Sequence, residues 1–167
     1  MSDQEVFFRK IVDENKDRIY RICCFYVFEE EDRKNLYQEV LHNIWKGLTK
    51  FRGDAKISTW IYRVTVNSAL AFLAQKRAER KQSAAHADLV ASRTPHMRDD
   101  GISEKIALLR KAIARLPLID MIIISLVLED ASSRDIAKVT GLTDGNVRVR
   151  IHRAKESLRQ MMDGGES

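Results

Sequence analysis

The chain has 167 residues, of which 44% are apolar and 32% charged, and carries a net charge of +5. That length suits one domain or two small ones, each with a modest core. No apolar run is long enough to span a bilayer, and "MSDQEVFFRK" lacks the basic head and apolar stretch of a secretion signal, so a soluble cytoplasmic protein without membrane insertion is expected.

The N-terminal part reads as helix, with Phe8, Ile11, Val12, Ile19, Ile22, Cys23 and Tyr26 at helical spacing. Cys23 and Cys24 are the only cysteines. Neighbouring cysteines rarely pair, and no second pair completes a metal set, so at least one is expected in the core. The acidic run "EEED" interrupts the pattern, and Asp32 or Asn35 starts the next helix, whose stripe is Leu36, Val40, Leu41, Ile44, Trp45 and Leu48. Gln38, Glu39, His42 and Asn43 lie largely off that stripe. "KFRGDAK" is a loop with Gly53-Asp54 as its turn. A third helix, capped by Ser58 or Thr59, turns Ile61, Val64, Ser68, Ala71 and Phe72 one way and ends in the polar "QKRAERKQ".

Charge is unevenly spread. Residues 1–32 hold nine acids and five bases, whereas residues 46–81 hold nine bases and two acids. A basic segment within a helical body points to a polyanion partner or to a merely solvated face. Residues 78–102 lack periodicity and mix small and charged residues, which predicts a flexible linker. It divides an all-α protein into two small helical domains, 1–77 and 103–163; one continuous domain with a long loop is the alternative.

The second domain begins at Ser103. Ile106, Leu109, Ile113 and Leu116 mark a helix that stops before Pro117, and "LIDMIIISLVLED" reads as a buried helix. "SSRDIAKVTG" is a short helix capped by Ser132 or Ser133 and ended by Gly141. The next stretch, "TDGNVRVRIHRAKESL", alternates at its centre like a strand. At about 100° per residue, however, Val147, Ile151, Ala154, Leu158, Met161 and Met162 form one stripe longer than four turns, so it is a helix. Val149 then points away from the core, together with Gly145, Asn146, His152 and Arg153, while Arg148 and Arg150 flank that face. Such a surface suits a major groove, where a methyl group meets thymine, Arg or Asn reads base edges, and flanking arginines grip phosphates. Thr143 or Asp144 caps the helix, leaving its first amides to face a phosphate. A short helix, a glycine turn and a longer basic helix make a helix-turn-helix; an ordinary helical hairpin with a basic outer face is the plainer alternative.

On these residues the sequence resembles a known family. "LPLIDMIIISLVLEDASSRDIAKVTGLTDGNVRVRIHRAKESLRQMM" resembles the fourth conserved region of bacterial sigma factors, and "DRKNLYQEVLHNIWKGLTKFRGDAKISTWIYRVTVNSAL" resembles the second. Two such regions joined only by a linker are similar to the extracytoplasmic-function sigma factors of the sigma-70 family. The resemblance implies a region 2 helical bundle and a region 4 helix-turn-helix. It also implies binding to core RNA polymerase through the clamp helices of the largest subunit and the flap, and recognition of promoter DNA. By position, Asp32, Asn35, Gln38 and Glu39 fall on the polymerase contact; the family usually has an acid at Asn35, so one charge is missing there. The −35 duplex falls on Ser133, Thr143, Asp144, Gly145, Asn146, Arg148, Val149, Arg150, His152 and Arg153.

The −10 function falls on the loop and helix from Phe51 to Asn67. Holding unstacked bases needs stacking, hydrogen bonds and pockets, which Lys56, Ser58, Thr59, Trp60, Tyr62, Arg63 and Asn67 offer. Trp60 is either a stacking platform or a core residue. Lys76 and Arg77, with Arg80 and Lys81, lie along phosphates. Family members are commonly held inactive by an anti-sigma factor, which the long linker would let clamp the two domains; a sigma factor controlled by its own expression is the alternative. No Gly-rich phosphate loop, metal-ligand spacing or Ser-His-Asp set is present, so neither an enzyme nor a cofactor is expected. The competing readings are a helix-turn-helix repressor or activator that binds operator DNA alone, and a helical adaptor that binds only proteins.

Overall fold

A computed structural model describes residues 1–86 and 104–164. Among them are seven helices: α1 (Asp3–Tyr26), α2 (Glu30–Leu48), α3 (Ile57–His86), α4 (Glu104–Ala114), α5 (Leu118–Val127), α6 (Ser133–Thr140) and α7 (Asp144–Asp163). The fold is all-α, as the periodicity predicts, and the stretch that alternates like a strand is the first half of α7. Most of the predicted linker, residues 87–102, lies outside the described residues.

α1 starts at a capping box. Ser2 Oγ accepts from the Glu5 amide at 3.3 Å, and the Glu5 carboxylate accepts from the Ser2 amide at 3.0 Å. α2 begins at Glu30, ahead of both expected starts, and no side chain caps it; three acids in its first turn complement the positive end of the helix instead. α3 begins at Ile57, so neither Ser58 nor Thr59 is its cap. It also runs nine residues past the expected boundary at residue 77. Ala, Gln, Glu, Lys and Arg are all strong helix formers, and a helix nucleated on a packed face propagates through them.

α1, α2 and α3 form a bundle closed by Ile11, Ile19, Ile22, Leu36, Val40, Ile44, Ile61 and Val66. Asn43 Nδ2 donates to Ser68 Oγ at 2.9 Å across α2 and α3. Gly47 lets Trp60 lie against α2: a Cβ there would sit 2.8 Å from Trp60 Cζ2. Ala71, expected inward, is exposed. The buried stripe of α3 instead includes Tyr62, Thr65 and Ala69, because α3 packs on α6 as well as on α1 and α2. Asn15 is buried in α1 and turns its amide back to the Ile11 carbonyl, 2.8 Å away.

In the second half α4, α5, α6 and α7 enclose Ile123, Leu126, Ile136 and Val147, with a satellite cluster of Leu116, Ile124 and Ala154. Gly141 follows α6 in the left-handed region, φ 76°, where a side chain is strained, and Thr143 caps α7 by accepting from the Asn146 amide at 3.2 Å.

The two halves pack together. One apolar cluster runs from α1–α3 into α5–α7. Arg21 Nε and Nη2 hold the buried Glu129 carboxylate at 2.9 and 2.8 Å. Tyr26 Oη meets Ser125 Oγ at 3.0 Å, and Tyr62 Oη donates to the Glu129 carbonyl at 3.3 Å.

Candidate nucleic-acid interface

α7 projects two opposite faces. Val147 and Ala154 are buried, whereas Gly145, Asn146, Arg148, Val149, His152 and Arg153 are exposed. Val149 leaves 49% of its surface in solvent, on a depression it shares with Asp120, Asn146, Arg150 and Arg153. The face is ordered by its own hydrogen bonds. Arg148 pairs with Asp144 one turn back. That bond chiefly, with the nearby Ser133 hydroxyl second, holds the Asp144 carboxyl below the usual carboxylate range. Arg150 is only partly exposed, engaged by Asp120 at 2.9 Å and by Asn146 at 3.1 Å. The ten residues that sequence reasoning places on this face therefore lie on one contiguous end of α6 and α7. Asp120, on α5, borders this face and is absent from those ten; it sits in the apolar run "LIDMIII", and its partner Arg150 lies 30 residues away in the chain.

The second basic region is arranged differently. Lys56, Arg63, Asn67 and Arg77 are exposed, and Ser58 is half-buried. Trp60 is half-buried and tilts against Phe51, ring centres 5.3 Å apart, so it serves both as packing and as the edge of the surface. Thr59 and Tyr62, in contrast, are buried under the second half. Thr59 Oγ1 donates to Asp135 Oδ1 of α6 at 3.3 Å, and Arg63 donates to the Lys138 carbonyl. Periodicity cannot see this, because the covering helix is 75 residues away in the chain.

On the outer face of α2, Asn35 and Gln38 are exposed and Glu39 is half-buried. Asp32 meets Lys76 of α3 at 3.0 Å, which raises the lysine's affinity for its proton, first by hydrogen bonding and then by charge. Two residues assigned to different partners thus neutralise each other.

Beside these polar faces lies an apolar groove of about 300 Å³ between the halves. Phe25 of α1, Phe28 just beyond its C-terminus, Ile106, Leu109 and Ile113 of α4, and Leu128 line it, with Arg21, Arg110 and Glu129 also on its wall. No group of histidine, cysteine or carboxylate side chains among the described residues is placed to hold a metal, and no described helix is long and apolar enough to cross a membrane.

Comparison with known proteins matches two family models to this chain: "Sigma-70 region 2" over residues 11–79 and "Sigma-70, region 4" over residues 106–158. The ECF RNA polymerase sigma factor SigW of Bacillus subtilis is 25% identical over 170 residues, covering 96% of this chain and 90% of that protein. Among solved structures, the sigma factor RpoE in complex with the anti-sigma factor NepR from Bartonella quintana is similar in fold. Its TM-score is 0.69 at 19% identity, covering 93% of this chain and 96% of that one. CnrH in complex with the cytosolic domain of CnrY also has a TM-score of 0.69, at 20% identity, covering 94% of this chain and 88% of that one.

Proposed function

The chain belongs to the sigma-70 family, as an extracytoplasmic-function sigma factor, and we propose on that premise that it binds core RNA polymerase and directs it to promoters. The observation that carries the reading is the outer face of α7. An exposed valine, an amide, a histidine and arginines lie together on a capped helix that follows a glycine turn. This face enters the major groove of the −35 element: Val149 meets a thymine methyl and Arg153 and Asn146 face base edges. Arg148 and the first amides of α7 hold phosphates.

The surface from Lys56 to Asn67 holds the −10 element, with Trp60 as an edge for stacking and Lys76, Arg77, Arg80 and Lys81 along the backbone. Thr59 and Tyr62 are covered by the second half, so this part of the reading requires α6 to withdraw from α3 before the opened strand is held. Asn35, Gln38 and Glu39 on α2, with Asp32 once released from Lys76, dock on the polymerase, which places the protein's action in the cytoplasm. Residues 1–77 and 103–163 act as the two promoter-binding units, on either side of the connecting segment. The protein contributes no bond chemistry; it lowers the free energy of an open promoter within the polymerase.

Run-off transcription with purified core polymerase on a promoter library tests the reading. A discrete start site that depends on this chain is the expected result. Tight binding to palindromic duplex by the chain alone, without transcription, would instead make it a repressor or activator.

The apolar groove supports a regulatory partner. An amphipathic helix laid between α1 and α4 would bury Phe28, Ile106 and Leu109, all exposed here. An anti-sigma factor supplies such a helix. Co-purification from native cells tests this: a small regulator lost on replacing Phe28 and Leu109 with aspartate supports it, and repeated recovery of polymerase alone refutes it.

A further inference from the structure

Arg150 is held from two sides. Its Nη1 donates to Asp120 Oδ1 of α5 at 2.9 Å, and its Nε donates to Asn146 Oδ1, one turn back on α7, at 3.1 Å. The Asp120 side chain is 16% exposed and that of Arg150 35%, so the pair sits at the rim of the protein surface. Both line an open depression of about 420 Å³ with Gly145, Asn146, Val149 and Arg153, on the face proposed to meet DNA.

A guanidinium can only donate hydrogen bonds. The amide that meets Arg150 Nε must therefore present its oxygen, which leaves the Nδ2 amino group of Asn146 for other partners. Asparagine reads adenine with both ends, accepting from N6 and donating to N7. Arg150 takes one lone pair of that oxygen, so the amino group is the wholly unengaged end of Asn146. Arg150 Nη2 has no hydrogen-bond partner among the described residues and also offers donors. A surface of donors complements an edge of acceptors, and in the major groove two adjacent acceptors, N7 and O6, belong to guanine. Adenine would bring its amino group against donors.

We propose that Asp120 is a specificity-determining positioning residue: by anchoring Arg150 against Asn146, it sets that pair to read guanine in the −35 duplex. The inference rests on the promoter reading of α7 and deepens it. It also reassigns Arg150. With a carboxylate balancing its charge and fixing its direction, Arg150 reads a base rather than gripping a phosphate, the role its flanking position on the helical wheel predicts.

The test uses the full chain with core polymerase on promoters randomised across the −35 element, with transcripts counted by sequencing. The wild-type chain should favour guanine over adenine at one position by about tenfold. Asp120→Asn keeps the shape and loses the charge. It should flatten that preference to about twofold and steepen the salt dependence of duplex binding by about one unit of log–log slope, as the freed Arg150 engages a phosphate. Asp120→Glu should restore part of the preference. A D120N protein with a lowered melting temperature and an unchanged ranking of bases would make Asp120 a strut between α5 and α7 and overturn the proposal. If Asn146→Ala and Val149→Lys also leave the ranking unchanged, α7 is not the reader and the underlying promoter reading fails. If those two change the ranking and D120N does not, only the positioning inference fails.

Discussion

The hydroxyl pair that joins α1 to α5 gives a quantitative test of how the halves are held. Ser125 Oγ donates to the Ile122 carbonyl at 2.7 Å, so in its 3.0 Å contact with Tyr26 it accepts and the phenol donates. Both residues are buried. Ser125→Ala strands a buried phenolic donor, which costs about 1–3 kcal/mol. Tyr26→Phe removes the donor and leaves Ser125 its own carbonyl partner, at about 0.5–1.5 kcal/mol. In the double variant nothing polar remains unpaired, so its cost should fall well below the sum, by about 1 kcal/mol. Urea unfolding of the four proteins, followed by circular dichroism, measures the cycle. Because the bond crosses between the halves, Tyr26→Phe should also raise the separated population by about fivefold per kcal/mol lost. Binding of a fluorescent single-stranded −10 oligonucleotide to the polymerase-bound chain should tighten accordingly. Additive single and double variants would refute the assignment of donor and acceptor; an additive cycle with unchanged oligonucleotide binding would refute the docking role as well.

Other outcomes follow from single features. Val149→Lys should leave urea stability within about 0.5 kcal/mol while abolishing selective initiation in run-off assays, since 49% of the residue is already in solvent. Gly141→Ala meets no atom within 4 Å, so its cost is backbone strain at φ 76°; a loss of about 1–2 kcal/mol in the free energy of urea unfolding is expected, and a neutral result would contradict it. Burial pushes both the Cys23 thiol and the Tyr26 phenol up to about 12. Each is therefore neutral in the fold when the unfolded chain already releases its proton. Their contribution is complete below about pH 8.5, where the free thiol starts to ionise, and is lost as pH rises toward 12. Urea midpoints measured from pH 7 to 11 should fall, and Tyr26→Phe should flatten the upper part of that fall.

Much of this architecture is legible in the chain. Val147, Ile151 and Ala154 repeat at helical spacing, so α7 and its outward Val149 follow from the sequence. Ser132 and Gly141 bracket α6 because a cap and a left-handed turn need those residue types. The capping box in "SDQE" carried an equally clear signal, which the apolar pattern overshadowed. The burial of Thr59 and Tyr62 was not legible, since periodicity describes a helix against one neighbour and α3 has several. Asp120 was hidden for a related reason: its single charge stands in an apolar run, and its meaning lies in Arg150, on another helix. The extension of α3 to His86 shows that polarity ends packing without ending a helix.

The seam between the halves has an evolutionary consequence. Thr59 and Tyr62 are fastened to α6 and to the turn after α5, and the same two side chains lie on the surface proposed for the opened strand. If the opened strand is held there, a substitution at either position is weighed twice, once by the packing of the halves and once by the promoter. Drift in which sequences are recognised would then not proceed there without also changing how readily the halves separate, so taste for DNA and threshold for action would be inherited together.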